Sequence, residues 1–223
     1  MRATFAVLAK DLRLELRTFE TLPAMVLFSL STFVIFHFAL GRSAVGGQLA
    51  AGILTVTLLF AALLGAGRLF VAEREQGGFD AFLLAPVDRT SLLAAKAAAM
   101  FLFLALLEVV AVPAFGVLLL GPALGPRLPG LIAVLALADL ALAVIGTLVS
   151  AIAIHTRARD MISPIIGLPL LLPALIASAR AAAPVFSVHG SGAPPGKWLL
   201  ILALYDVVFA LIAYAVFDFL LED

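Results

Sequence analysis

The chain has 223 residues, 64% of them hydrophobic and only 13% charged, with 14 basic residues balancing 14 acidic ones. Soluble domains average about 45–50% apolar and about 25% charged residues, so a surface made from this composition belongs in a bilayer, not in water. A large soluble domain is excluded, and the absence of cysteine excludes disulfides, a thiol nucleophile, an iron–sulfur cluster and a CxxC haem attachment site.

At roughly 20 apolar residues per helical span, a chain of this length holds about six. Residues 1–21 come first and are not a cleavable signal, because Lys10, Asp11, Arg13, Glu15 and Arg17 interrupt what would have to be an apolar core. Phe5, Leu8, Leu12, Leu16 and Phe19 recur at steps of three and four, one helical stripe. Lys10, Arg13 and Arg17 flank it on one side and Asp11 and Glu15 on the other. That is the pattern of an amphipathic helix lying in the membrane interface; a plain juxtamembrane helix is the simpler alternative. Six apolar segments follow, near 22–40, 49–71, 95–120, 130–154, 163–183 and 198–220, divided by breaks rich in Gly, Pro and charge. The expected fold is therefore all-α: an interfacial helix at 1–21 and a six-helix transmembrane domain over 22–223.

Lysine and arginine counts set the expected orientation. With the N-terminus inside, the cytoplasmic side holds Arg2, Lys10, Arg13, Arg17, Arg68, Arg74, Arg89, Lys96, Arg157 and Arg159, and the outside only Arg42, Arg127, Arg180 and Lys197. Both termini are then cytoplasmic. Segment 72–94 is the one cytoplasmic loop long enough to fold. In it Glu73-Arg74-Glu75 extends the preceding helix, Gly77-Gly78 breaks it, and Phe79 to Ala85 forms a short amphipathic helix that Pro86 ends. Asp80 stands at the start of that helix, where a negative charge suits the helix dipole. Such a helix either seats in a groove on a soluble partner or folds back on the lipid surface.

These residues carry a family resemblance. Arg68-Leu69-Phe70, Glu73, Gly77-Gly78-Phe79-Asp80, Leu83-Leu84-Ala85-Pro86-Val87 and Ala95-Lys96 resemble the CcmB family, haem exporter protein B of cytochrome c maturation. Arg157-Ala158-Arg159-Asp160 with the proline-punctuated run Pro164, Gly167, Pro169 and Pro173 is similar to that family's fifth span, and Lys10-Asp11-Leu12-Arg13 fits as well. Length and motif order agree over essentially the whole chain. The departures are Asp80, where glutamate is usual, and 97–100, which lacks a tryptophan that many members have.

The resemblance implies an ABC-2-like permease subunit in a bacterial cytoplasmic (inner) membrane, working as a homodimer with a separate CcmA-like ATPase and with CcmC-like and CcmD-like membrane proteins. The loop between spans two and three then couples to the ATPase, through Glu73, Gly77, Gly78, Phe79, Asp80, Phe82, Leu83 and Pro86. No catalytic residue, bound metal, tightly held cofactor or nucleic-acid partner is implied; haem is the handled ligand.

Other polar residues were weighed for chemistry of their own. Residues 190–197 look briefly like a phosphate loop, but Ser191 and Trp198 break the G-x-x-x-x-G-K-[ST] pattern. His37, His155 and His189 lack metal-ligand spacing. His37, His189 and Trp198 share the outer side and form a weak haem candidate, against the plainer expectation of packing and loop residues. A charge inside a bilayer usually has a partner or a task. Arg180 and Asp206, about 5 Å and 12 Å below the outer boundary by helix rise, are expected to form a structural ion pair. Glu108 and Asp139 sit mid-span with no basic residue at their depth. They are expected to be protonated, bonded to Ser or Thr, or facing a wet cavity. As a proton relay they would make the chain an ion-coupled secondary transporter, the rival to the permease; a membrane scaffold is a third class. Pro164, Pro169 and Pro173 remove three backbone donors, which predicts a kinked or broken fifth span.

Overall fold

The structure is a computed structural model that describes residues 2–41, 44–71, 89–120, 125–153, 159–187 and 192–220. Every element in them is helical: α1 Arg2–Thr18, α2 Thr21–Leu40, α3 Gly47–Arg68, α4 Arg89–Phe115, α5 Leu128–Ala153, α6 Arg159–Phe186 and α7 Gly196–Leu220. A π-helical turn, Gly116–Leu120, continues α4, and a 3-10 turn, Gly125–Arg127, leads into α5. Helices α2 to α7 are the six that are long and apolar enough to cross a membrane. Most of the coupling segment, residues 72–88, lies outside the described residues, as do His155 and His189.

Helices α3 and α5 form the centre. Their apolar windows are 67% and 72% buried, against 17% for both α2 and α7, which present broad apolar faces outward. The centre is built from small residues: Ala50, Ala51, Ala61, Ala62, Gly65 and Ala66 on α3, and Ala138, Ala141, Ala143, Gly146 and Ala151 on α5. Small side chains let backbones approach closely, which is how helices gain packing energy where lipid is as apolar as leucine. A Cβ on Gly65 would stand 3.0 Å from Met25 Sδ of α2 and 3.1 Å from Met100 Cε of α4, so this glycine lets three helices converge.

Helix α1 ends where Phe19 takes a left-handed backbone, φ 49°. Glu15 then does two things: its carbonyl accepts the Phe19 N–H at 2.8 Å, and its carboxylate accepts the Leu22 N–H at 2.6 Å. The second bond supplies the first turn of α2 with an acceptor that no side chain at Glu20 provides.

Of the two forms expected for the fifth span, kinked or broken, the break does not occur: α6 runs from Arg159 to Phe186 through Pro164, Pro169, Pro173 and Pro184. Each proline removes one N–H and leaves only the carbonyl four residues earlier without its helical donor, so one bond is lost at a time and the helix persists. The Tyr205 hydroxyl of α7 also donates to the Leu170 carbonyl and ties α7 to this stretch.

At the end of the bundle away from residues 72–88, Phe33, Phe115 and Phe186 stack in a chain with centroids 5.2 Å and 5.6 Å apart. There a Cβ on Gly130 would lie 2.8 Å from Pro194 Cδ, a ring atom with little freedom to move. Gly130→Ala should therefore lower stability by about 1–3 kcal/mol through overpacking, read as a lower detergent melting temperature. An unchanged melting temperature would show that the 192–195 segment does not rest on α5.

Candidate functional site

Polar side chains inside an apolar bundle are the residues most in need of explanation, and they gather at three depths. The first group lies at the root of residues 72–88. Lys96, on the second turn of α4, is 2% exposed, deep for an ammonium group. Three elements compensate it. Asp11 of α1, itself 7% exposed, places Oδ2 at 2.9 Å. The Leu69 carbonyl just past α3 accepts a hydrogen bond at 2.8 Å, and the Phe70 ring lies 5.3 Å away, face on to the charge. The Asp11 contact lies off the hydrogen-bonding directions, so it is Coulombic. Lys10 adds a 3.3 Å contact to Asp11 from the water side.

Two further contacts extend this group. Ser150 of α5 donates to the Ala66 carbonyl of α3 at 2.8 Å, and Arg68 meets Glu20 at 3.5 Å on the surface. Every helix from α1 to α5 is thus tied into one polar collar where the chain leaves for, or returns from, residues 72–88. Sequence reading treated Asp11 as a flank charge of an interfacial stripe. Instead α1 docks through that flank, and Phe5, Leu16 and Phe19 of the stripe remain 69%, 68% and 62% exposed.

The second group is at mid-depth. Glu108 of α4 and Asp139 of α5 face each other, and Glu108 Oε1 and Asp139 Oδ1 have no hydrogen-bond partner. A carboxylate only accepts hydrogen bonds, so two such groups side by side can bond only when one of them is protonated. This replaces the expectation of two separate acids. The signal was available in the sequence: Asp139 is 11 residues in from Leu128 and Glu108 is 12 residues back from Leu120, equal depths on antiparallel neighbours.

The third group is at the far end. His37 of α2 bonds the Leu118 carbonyl through Nδ1 at 2.5 Å, which places the proton on Nδ1, and the Val45 N–H donates to the Leu119 carbonyl at 2.7 Å. Both acceptors belong to the π turn, where carbonyls leave their intrahelical partners. Trp198 packs against the main core and against Ala141, Ala174, Ala177 and Leu202, under Lys197 at 5.0 Å. Among the described residues no three His, Asp or Glu side chains converge as metal ligands.

The Arg180–Asp206 ion pair is not made. Asp206 is 2% exposed with neither carboxyl oxygen bonded, while Arg180 is exposed on the face of α6 that carries Ile165, Leu172 and Ile176. Arg180 lies on the outward side of its helix, away from the buried carboxyl.

These features define the class: a six-span α-helical membrane protein whose interior polar groups join neighbouring helices. The comparisons name the family. The chain matches the family model described as CcmB protein over residues 2–220. It is 32% identical to heme exporter protein B of Bradyrhizobium diazoefficiens over 93% of both chains. It is 33% identical to heme exporter protein B of Rhodobacter capsulatus, over 78% of this chain and 80% of that one. It is 29% identical to heme exporter protein B of Pseudomonas aeruginosa, over 78% of each. The chain belongs to the CcmB family.

Two measurements probe these groups. Removing one member of a buried ion pair strands the other at about 3–5 kcal/mol. Asp11→Ala should therefore lower the detergent melting temperature strongly, and Asp11→Ala with Lys96→Met should cost clearly less than the sum of the singles. Simple additivity would mean that the pair does not form. At mid-depth, Glu108→Gln keeps a donor for Asp139 and should leave stability nearly unchanged. Glu108→Ala leaves Asp139 unpartnered and should cost about 1–3 kcal/mol; equal effects of the two changes would contradict the joined pair.

Proposed function

We propose that the chain is the membrane permease subunit of an ABC transporter complex for cytochrome c maturation, in a bacterial cytoplasmic membrane, with both termini cytoplasmic. Its partners in this reading are a CcmA-like ATPase, CcmC-like and CcmD-like membrane proteins and a second copy of itself. ATP hydrolysis takes place on the partner, and the stroke drives haem export or the release of a haem-loaded chaperone. Family membership and the named heme exporter relatives support haem as the handled ligand.

The observation that carries the coupling half of this reading is the polar collar. A partner seated on residues 77–87 acts on the ends of α3 and α4 on either side. Those ends are joined to each other by Lys96 and the Leu69 carbonyl, to α1 by Asp11 and to α5 by Ser150. Buried polar contacts of this kind resist being pulled apart, because each separated group would be left desolvated. A displacement of the loop therefore moves helix ends as a unit. The coupling residues are Glu73, Gly77, Gly78, Phe79, Asp80, Phe82, Leu83 and Pro86, with Phe82 and Leu83 as the apolar anchors.

One observation favours the rival, an ion-coupled secondary transporter: the carboxyl groups of Glu108 and Asp139 side by side at mid-depth, each with a buried oxygen that lacks a partner. The readings diverge on mutation. In the permease, Glu108→Gln leaves haem-dependent cytochrome c maturation intact and Phe82→Asp abolishes both maturation and ATPase co-purification, with membrane insertion unchanged. In the secondary transporter these outcomes reverse. An ATPase that still co-purifies with the double variant Phe82→Asp and Leu83→Asp would place the docking site elsewhere.

A further inference from the structure

Helix α1 has three faces, and only one of them is used by the bundle. Val7 and Leu12 pack against the core, and Asp11 is fixed on Lys96. Beside that face runs an exposed apolar edge, Phe5 and Leu16, continued by Phe19 at the turn. Beside that in turn runs a basic edge with Arg13 and Arg17, both exposed, one helical turn apart and without an ion-pair partner among the described residues. Leu16 follows Arg13 by three residues, so the apolar and basic edges adjoin on the helix surface.

The acids of this segment are all committed. Asp11 faces Lys96, Glu15 accepts the Leu22 N–H, and Glu20 meets Arg68. What α1 offers outward is therefore positive charge next to bulky apolar side chains, with no compensating acid. Water suits the arginines but not Phe5, Leu16 and Phe19, and hydrocarbon suits the reverse. A surface with negative headgroups over acyl chains suits both at once.

We propose that the outward faces of α1 form a docking surface for anionic phospholipid headgroups, with Arg13 and Arg17 on the phosphates and Phe5, Leu16 and Phe19 among the upper acyl carbons. The surface fixes the depth of α1, and through Asp11 and Lys96 it ties the lipid leaflet to the root of residues 72–88. This inference does not depend on an ATPase partner or on which side of the membrane α1 faces.

The chain has no cysteine, so Leu16→Cys gives one nitroxide site on the full-length protein. The label's depth is measured by oxygen against aqueous-relaxant accessibility in nanodiscs of phosphatidylcholine, with phosphatidylglycerol titrated in. Phosphatidylglycerol should move the label toward the oxygen-accessible side, and raised salt should reverse the shift. Arg13→Gln and Arg17→Gln should each raise the phosphatidylglycerol needed for half the shift about fivefold. Lysine at both positions should keep the shift, and an unchanged detergent melting temperature shows that each variant is folded. Equal label depth with and without phosphatidylglycerol overturns the proposal, as does a shift that survives the double glutamine change. A shift reproduced by inorganic phosphate over phosphatidylcholine also overturns it, since that describes a free-anion site and not a lipid surface.

Discussion

The buried ammonium group of Lys96 is the constraint on which the loop end of this molecule depends. Taking a charge out of water costs several kcal/mol even after the surroundings relax, and an apolar bundle has few ways to offset that. The compensation comes from three parts of the chain at once: a carboxylate on α1, a backbone carbonyl after α3 and the ring of Phe70. None of these is near Lys96 in sequence. Helix α1 is therefore more than a float on the membrane surface, because its Asp11 places a counter-ion 2.9 Å from the charge near the start of α4. The same contact explains why an aspartate sits at 7% exposure on a helix whose other charges face out.

Elsewhere the chain handles irregular backbone in the same way. A bilayer supplies no hydrogen bonds, so the orphan carbonyls at a helix end must find donors within the protein. The carbonyls of Leu118 and Leu119, in the π turn that ends α4, are met by His37 and Val45. In α6 the Leu170 carbonyl accepts from Tyr205. Each of these contacts is a joint to a neighbouring element. His37, a haem candidate by position, thus has a structural task, and the donor geometry fixes its tautomer.

The spans were legible because a bilayer enforces length and composition: segments expected at 22–40 and 130–154 are helices Thr21–Leu40 and Leu128–Ala153. Depth was legible too, since rise per residue converts position into height. Azimuth was not. Arg180 and Asp206 were within side-chain reach by height but look different ways, whereas Glu108 and Asp139 match in height and do face each other. Helical phase separates these cases only once it is known which face of each helix meets the bundle, and uniformly apolar spans conceal that face. The amphipathic stripe of α1 misled for a related reason. The stripe marks the apolar side of the helix but does not show which residues meet the bundle: Asp11 on the flank and Leu12 within the stripe do, while Phe5, Leu16 and Phe19 stay outward.

Helix α4 is common to all three groups of interior polar contacts. Its first turns hold Lys96 against α1 and the end of α3, its middle holds Glu108 against Asp139 of α5, and the π turn that continues it receives His37 of α2. It also follows residues 72–88 directly in the chain. A rigid helix transmits an axial or tilting displacement along its whole length, and contacts that are desolvated if broken carry that displacement to the neighbours they bind. Because α4 is joined near its start, at its centre and at its far end, movement imposed at the loop reaches α1, α3, α5 and α2 through separate contacts at separate depths. Helices α6 and α7 meet that set across apolar surfaces and are joined to each other by Tyr205 on Leu170, while Arg127, in the turn before α5, donates to the Val185 carbonyl near the end of α6. That polar joint lies at the end of α6 far from the loop. Nearer the loop α6 is held by apolar surfaces, which can re-pack without leaving a desolvated group behind.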